Sequence, residues 1–325
     1  MDAIAVGIDV SKDRLDVCVR PTGEWLVCGR DAAGIEALVA RLAALSPKIV
    51  AVEATGGFET VVAASLGAAG LPVVVVNPAQ VRAFAQAVGK RAKTDPIDAA
   101  VIAHFVEATK PQLRPLPDAD TQRLADLIAR RRQIIQMIVA EKQREKRASA
   151  SMKKSIARLL KALQAELSTV DRDIDEAVRG SPAWREKEDL LASVPGIGPI
   201  IARTLIAELP ELGTVDRREI AALAGLAPWT RQSGRWRGRS FIGGGRASVR
   251  TALFQGALVA KRHNASLKAF HQRLLDAGKP KMVAIIAVAR KLLTILNAIL
   301  RTKNPWQIAL GAAPPAKSRS SRPAQ

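Results

Sequence analysis

Residues 4–28 read IAVGIDVSKDRLDVCVRPTGEWLVC, and this stretch decides the fold of the first third of the chain. The apolar run 4–9 ends in an acid, residues 14–20 alternate as a strand does, and 25–28 form a third short apolar run. Predicted elements then alternate: helix 33–45, strand 49–53, helix 59–69, strand 73–76, helix 79–88 and helix 95–108. Three strands followed by alternating helices and strands predict an α/β layer structure with a mixed sheet.

This order of elements is typical of the ribonuclease-H-like fold. The pattern then changes, because apolar residues recur every three to four positions from about 118 to 178, and no Pro or Gly lies between Pro117 and Gly180. We expect two long helices here, as a coiled coil or a helical hairpin that joins the two halves; the alternative is a helix packed on its own domain. Residues 185–310 are expected to be mainly helical, and the tail GAAPPAKSRSSRPAQ to be disordered.

Charge is unevenly distributed along the 325 residues, whose formal net charge is +20. Residues 1–110 hold 11 Lys/Arg and 12 Asp/Glu, whereas the rest of the chain holds 39 and 18. A folded protein with this excess favours a polyanionic partner such as DNA or RNA. The chain contains no tyrosine, which excludes a tyrosine recombinase.

The remaining compositional features argue for a cytoplasmic protein. Two cysteines are too few for a disulfide framework, and the first ten residues lack the basic region and cleavage site of a signal peptide. The most apolar long stretch, residues 282–300, carries Arg290 and Lys291 at its centre. We therefore expect a buried or DNA-facing helix there and no membrane span.

Four acids are candidates for a shared metal site. Asp9 and Glu53 each end a predicted strand, and Asp95 and Asp98 lie three residues apart at the start of a helix, on one face. Several carboxylates converging on one point suit the divalent ions that assist phosphoryl transfer. Each acid also has a simpler interpretation: a turn at Asp9, a helix cap at Glu53, and an N-cap with a following acid at Asp95 and Asp98.

Two further motifs suggest contact with nucleic acid. The sequence VPGIGP lies between apolar helical stretches, and Gly196 and Gly198 would bring backbone amides close to a phosphate, as in a helix-hairpin-helix; an ordinary interhelical turn is the alternative. The stretch 228–241, PWTRQSGRWRGRSF, places Ser233 among arginines. Six arginines are expected to contact nucleic acid: Arg231, Arg235, Arg237, Arg239, Arg246 and Arg250.

The motifs GIDVSK, VEATGG, VNPAQ, KTDPIDA, VPGIGP, GLAP, a Ser-Gly pair and GGRASVR follow one another in this order. In this respect the chain resembles the DEDD-type insertion-sequence transposases, described as bridge-RNA-guided serine recombinases, of which the pilin-gene invertase is a relative. The resemblance covers roughly residues 5–305. It implies four segments: a RuvC-like metal-binding nuclease domain at 1–110, a coiled-coil or helical linker at 111–180, a transposase domain at 181–310, and a disordered basic tail at 311–325.

The resemblance also implies the site. Asp9, Glu53, Asp95 and Asp98 would bind Mg²⁺, with two ions in each composite site, and Ser233, eight residues after Gly225, would be the nucleophile. The partners would be donor and target DNA, a noncoding bridge RNA, and further copies of the chain in dimers and tetramers, in the bacterial cytoplasm and close to the nucleoid. One departure is FIGGGRASVR, where some members carry Ser-Lys-x-Gly, so this chain is expected to belong to the other main branch.

The expected chemistry is transesterification through a covalent phosphoserine, with Arg231 and Arg235 stabilising charge on the phosphoryl oxygens. One alternative is a metal-dependent junction nuclease that uses water and leaves Ser233 as a turn residue. A second alternative is a non-catalytic nucleic-acid-binding protein whose acids only cap helices.

Overall fold

The computed structural model describes residues 3–90, 94–113, 116 and 118–307, except for the side chains of Asp95 and Arg237. The predicted tail at 311–325 lies outside the described residues. The chain divides into two compact units, one ending at residue 117 and the other beginning at Asp118.

The first unit contains a five-stranded mixed sheet with the order β3-β2-β1-β4-β5. Its strands are β1 (Ala5–Val10), β2 (Arg14–Arg20), β3 (Glu24–Gly29), β4 (Ile49–Glu53) and β5 (Val73–Val76). Strands β1 to β3 form an antiparallel meander, and β4 pairs in parallel with both β1 and β5. The predicted mixed α/β sheet is therefore confirmed, and it fits a ribonuclease-H-like transposase domain.

Helices cover both faces of this sheet. They are α1 (Ala32–Leu45), α2 (Phe58–Ala68), α3 (Pro78–Ala87) and α4 (Asp95–Thr109). Leu15, Val17 and Val19 of β2 are buried with α1 and α2, whereas Ala5 of β1 is buried with α3 and α4. Cys18 and Cys28 are free thiols whose pKa values are raised by burial.

The second unit is mainly helical. Its helices are α5 (Ala119–Glu145), α6 (Ala150–Gly180), α7 (Pro182–Ala192), α8 (Pro199–Glu208), α9 (Arg217–Leu223), α10 (Ala247–His263), α11 (Ala265–Asp276) and α12 (Lys281–Thr302). Between α9 and α10 lie four two-residue strands: β6 (Pro228–Trp229), β7 (Gln232–Ser233), β8 (Trp236–Arg237) and β9 (Phe241–Ile242).

Helices α5 and α6 form a hairpin across a four-residue connection, and Arg131 Nε of α5 donates to Asp171 Oδ1 of α6 at 2.6 Å. Their buried residues, including Leu124 and Ile174, belong to the same hydrophobic core as α8, α10 and α12. The two predicted long helices are therefore present, and they pack on the rest of the second unit.

Helix α12 is long and apolar enough to cross a membrane by length and composition alone. Its residues Val288, Leu292 and Leu296 are fully buried in the core of the second unit. Lys291, on the other side of the helix, is exposed. This arrangement matches the predicted buried helix.

Candidate active site and nucleic-acid interface

Asp9, the penultimate residue of β1, and Glu53, the last residue of β4, lie near the same ends of two neighbouring parallel strands. The register of β1 and β4 runs from Ala5 opposite Ile49 to Ile8 opposite Val52, so its continuation by one residue brings Asp9 beside Glu53. Side chains two residues apart in a strand share a face, so Asp9 lies on the face of Gly7. Both acids are half-buried, and solvent can reach them.

Helix α4 covers this face and runs in the opposite direction to β1. At Gly7 the helix approaches so closely that a Cβ would lie 2.2 Å from the backbone nitrogen of Ala103. Near the C-terminal end of α4, Glu107 pairs with Arg20 at 2.7 Å, beside the start of β1. The N-terminal end of α4, with Asp98, therefore lies toward the end of β1 that carries Asp9.

The simpler interpretations of these acids do not agree with the described geometry. Asp9 lies within β1, and the N-cap of α4 is Thr94, so Asp95 is the first helical residue. At the start of α2, the backbone nitrogens of Thr55 and Gly57 donate to Glu59 Oε2 at 3.0 and 2.8 Å. The carboxylate that accepts from the backbone at this helix end is therefore that of Glu59 and not that of Glu53.

The acids fit a divalent metal site in residue type, because carboxylate oxygens are the ligands that Mg²⁺ prefers. Among the side chains that the structure describes, no three Asp, Glu, His or Cys residues lie close enough together to hold an ion. Asp9, Glu53 and Asp98 each have a polar or charged partner within the protein. The side chain of Asp95 lies outside the described set, so the four-acid centre stays a prediction.

Asp16 is an acid of this region that the sequence analysis did not single out. It lies directly opposite Asp9 in the antiparallel pair of β1 and β2, and only 1% of its surface is exposed. Arg14 Nε donates to Asp16 Oδ2 at 2.9 Å, while Oδ1 has no hydrogen-bond partner among the described residues. The strand alternation of RLDVCVR could have placed Asp16 on the α4 face, but only the hairpin register pairs it with Asp9.

Ser233 lies at the tip of a short hairpin. Ser233 pairs with Trp236, so Gly234 and Arg235 form a two-residue loop, and Gly234 has the positive φ of 53° that a tight hairpin requires. A second pair, Trp229 opposite Phe241, continues the hairpin toward its base. Ser233 is exposed to solvent, as a nucleophile that must reach a DNA phosphate would be.

The arginines expected to contact nucleic acid fall into two groups. Arg231, Arg235 and Arg239 are exposed on the hairpin. Arg246 instead makes a bidentate ion pair with Glu211, at 2.5 and 2.7 Å. Arg250 Nη1 donates to the carbonyl of Gly244 at 2.6 Å and fastens the base of the hairpin. The side chain of Arg237 lies outside the described set.

The turn between α7 and α8 gives its two glycines different surroundings. Gly196 has φ 110°, and a Cβ there would lie 2.6 Å from Ala260 Cβ and 2.8 Å from the Ala260 backbone nitrogen in α10. Gly198 is the exposed N-cap of α8, and a Cβ there would meet open space. The helix packing explains Gly196, and Gly198 is the more exposed of the two glycines.

A basic groove of about 490 Å³ lies on the second unit beside α12. Its charged lining includes Arg217, Arg218, Lys291 and Arg301, together with the capping residue Asp216. Asn297 in its wall is buried, and it accepts from the Gly213 nitrogen at 2.7 Å and donates to the Val215 carbonyl at 2.9 Å. The lining of the groove therefore has an excess of positive charge, and the side chain of Asn297 in its wall is fixed by two backbone contacts. Sequence patterns do not reveal this groove, because its residues come from distant parts of the chain.

Comparison with known families identifies the class of protein that this fold and these motifs define. Residues 6–148 match the DEDD-type transposase family of IS110 elements, described as "Transposase". Residues 188–272 match the family described as "Transposase IS116/IS110/IS902 family". The protein is therefore a DEDD-type transposase, a class of DNA-cleaving and rejoining enzymes. The two matches follow each other along one chain, and the chain belongs to the IS110/IS116 family of insertion-sequence transposases.

Individual relatives agree with this assignment. The chain is 29% identical over 318 residues to the pilin gene-inverting protein of Moraxella bovis. The aligned region covers 94% of this chain and 98% of that protein. A similar match is found with the pilin gene-inverting protein of Moraxella lacunata. The chain is also 32% identical over 158 residues to the insertion element IS900 42 kDa protein of Mycobacterium paratuberculosis, covering 45% of this chain and 37% of that protein.

Proposed function

We propose that this protein recombines DNA for an insertion sequence through a covalent phosphoserine, with a noncoding bridge RNA that pairs with donor and target DNA. The observation that carries the proposal is the exposed Ser233 at the tip of an arginine-bearing hairpin, in a chain whose other unit gathers acids at one sheet edge. The full-length similarity to the pilin gene-inverting proteins supports an enzyme that rearranges DNA by cutting and rejoining it.

The proposed first step is an attack on a DNA phosphate. A bond forms between Ser233 Oγ and phosphorus while a bond from phosphorus to a deoxyribose oxygen breaks. The serine proton passes through solvent to the departing oxygen. One P–O bond thus replaces another, and the step needs no other reactant. A deoxyribose hydroxyl of the partner strand then attacks the phosphoserine, reforms a phosphodiester and releases the serine.

Serine is a weak nucleophile at neutral pH and requires assistance. Arg231 and Arg235 are exposed on the same hairpin, and they would neutralise the phosphoryl oxygens. We assign the metal-binding part of the proposed composite site to Asp9, Glu53, Asp95 and Asp98, which would hold two Mg²⁺ ions. When bound, these ions supply charge stabilisation at the phosphate and a lower pKa for a coordinated hydroxyl.

The nucleic-acid partners are proposed to lie along the second unit. The basic groove with Arg217, Lys291 and Arg301 suits a phosphate backbone, since such contacts position nucleic acid without specifying sequence. The exposed start of α8 at Gly198 offers backbone amides for another phosphate. Sequence specificity is then assigned to base pairing by the guide RNA, as in other RNA-guided enzymes.

Self-association is proposed through the α5–α6 hairpin. Val139, Met152 and Leu159 on this hairpin are 48%, 54% and 47% exposed, so these apolar side chains are available for contact with a second copy. Dimers and tetramers would allow the serine of one chain to meet the acids of another. We place the assembly in the bacterial cytoplasm, in association with the nucleoid.

The proposal is tested by trapping the covalent intermediate. Wild-type protein, incubated with guide RNA, Mg²⁺ and end-labelled DNA of its own element, should yield a labelled protein–DNA adduct after denaturation. Ser233→Ala should lose the adduct and recombination completely while keeping its affinity for nucleic acid. Ser240→Ala is the matched control, because Ser240 is an exposed serine of the same hairpin that makes only a 3.4 Å contact with Thr230.

The same experiment separates the alternatives. Metal-dependent strand cleavage without an adduct would identify a water-using nuclease. Binding without cleavage in any condition would identify a non-catalytic protein. A fully active Ser233→Ala variant would remove the nucleophile assignment.

A further inference from the structure

Asp16 is a buried acid on the sheet face that α4 covers. Its strand neighbours Leu15 and Val17 are buried on the opposite face with α1 and α2. Cys18, two residues further along β2, packs against Ala99 and Ala103 of α4. Strand alternation therefore places Asp16 on the same face as Asp9, toward the N-terminal end of α4.

The contacts of Asp16 with the described residues compensate its negative charge only in part. Directly opposite residues of an antiparallel pair have their Cβ atoms about 4.5–5.5 Å apart, and like charges there are destabilising. Asp16 faces Asp9 in this way. The Arg14 guanidinium satisfies Asp16 Oδ2 at 2.9 Å, but Oδ1 is buried and has no hydrogen-bond donor among the described residues. A buried carboxylate oxygen without a donor costs free energy.

A hydrated divalent cation held by the neighbouring acids would remove this cost. Mg²⁺ usually keeps several of its waters when it binds to protein, and each such water is a hydrogen-bond donor. Carboxylates that act through a metal-bound group are common in protein metal sites.

We propose that Asp16 is a positioning residue of the metal site: its Oδ1 accepts a hydrogen bond from a water of the cation that Asp9 helps to hold. Arg14, which is bonded to the other oxygen, fixes the orientation of the carboxylate. The inference rests on the metal-dependent function proposed above, and it adds a fifth acid to the four that the family resemblance implies.

The test measures Mn²⁺ binding to the full-length protein by titration calorimetry, with Mn²⁺ as the probe for Mg²⁺. Asp16→Asn keeps the shape of the side chain and should weaken Mn²⁺ affinity by about 10–100-fold, the usual effect of removing such a partner. Its melting temperature without metal should equal or exceed that of the wild type, because a buried charge beside Asp9 is removed. Asp13→Asn, an exposed acid in the same hairpin, is the matched control and should bind Mn²⁺ like the wild type.

The outcomes separate this inference from the proposed function. If Asp16→Asn binds Mn²⁺ as tightly as the wild type while Asp9→Asn does not, Asp16 has no part in the site and the metal-dependent function stands. If the wild type itself binds no Mn²⁺, the metal-dependent function fails together with the inference. Asp16→Ser, also uncharged and smaller, decides in the same way should the asparagine variant not fold.

Discussion

Gly196 and Gly198 lie two residues apart in one turn, but their surroundings give them different roles. The backbone of α10 leaves no room for a side chain at Gly196, whose φ of 110° is also unfavourable for other residues. Gly198 has φ −95° and open space around it. Substitutions at these two glycines can therefore distinguish an effect on helix packing, at Gly196, from an effect on ligand contact, at Gly198.

Gly196→Ala is expected to destabilise the protein by about 2–4 kcal/mol, from overpacking against Ala260 and from backbone strain. Gly198→Ala is expected to change stability by less than about 1 kcal/mol, the range for a helix N-cap, and to weaken nucleic-acid binding. Urea denaturation of both variants measures the first effect, and a binding titration measures the second. Equal stability losses at the two positions would contradict the assignment.

Single residues also show where sequence patterns are informative. Asp9 and Glu53 could be predicted as neighbours because each ends an apolar strand, and parallel strands bring equivalent ends to one edge. Asp16 could not be predicted in the same way, since its importance depends on the register of β2 against β1. Likewise, the sequence PGIGP does not reveal that α10 lies against Gly196, because Ala260 is distant along the chain.

The hairpin from Pro228 to Ile242 is the element in which the arginines differ most in role. Arg231, Arg235 and Arg239 are exposed, and among them Arg231 lies over the Phe241 ring at 5.2 Å. Arg246, just beyond the hairpin, is bound to Glu211, which is only 10% exposed. The exposed arginines are available to bind phosphates, whereas Arg246 stabilises the fold through its ion pair with Glu211.

Substitution of all three arginines by Ala (Arg231→Ala, Arg235→Ala and Arg239→Ala) should change the free energy of unfolding by less than about 1 kcal/mol, the value of an exposed cation–π contact. The slope of log affinity against log salt should fall by about three units, roughly one for each lost phosphate contact. Arg246→Ala is the contrasting variant, and it should lose about 1–3 kcal/mol because Glu211 is left without this partner. Thermal denaturation and salt titrations of DNA binding measure these effects; an unchanged slope in the triple variant would contradict a role for the hairpin in binding.

The length of a helix or strand decides whether the sequence can predict it. The five strands of the sheet and the helices around them have four or more residues each, which is enough for apolar periodicity to appear. Strands β6 to β9 have two residues each, and the sequence there indicates only a Gly- and Arg-rich break. The pairing of Ser233 with Trp236 therefore required the three-dimensional structure.

The whole molecule separates a nearly neutral unit from a strongly basic one. Polyanion binding by the second unit should be dominated by phosphate contacts along surfaces such as the groove lined by Arg217 and Lys291. If six or more phosphates are neutralised, affinity should fall about 10³-fold between roughly 50 and 200 mM salt.

Arg217→Gln with Lys291→Gln should reduce the salt slope by about two units. Arg41→Gln, in the neutral unit and paired with Glu24 at 2.6 Å, is the control and should leave the slope unchanged. Fluorescence anisotropy at a series of salt concentrations measures both. Equal slopes for the groove variant and the control would place the phosphate contacts elsewhere.

Ser233 and the acids belong to different units of the chain, and this separation has a consequence for the host cell. An enzyme that cuts chromosomal DNA is dangerous if it is active whenever it is folded. With the proposed nucleophile on one unit and the proposed metal site on the other, a fragment that contains only one unit carries only part of the proposed catalytic apparatus. Strand breakage is then expected to require both units, so a truncated product of either unit alone should not damage the genome of the host.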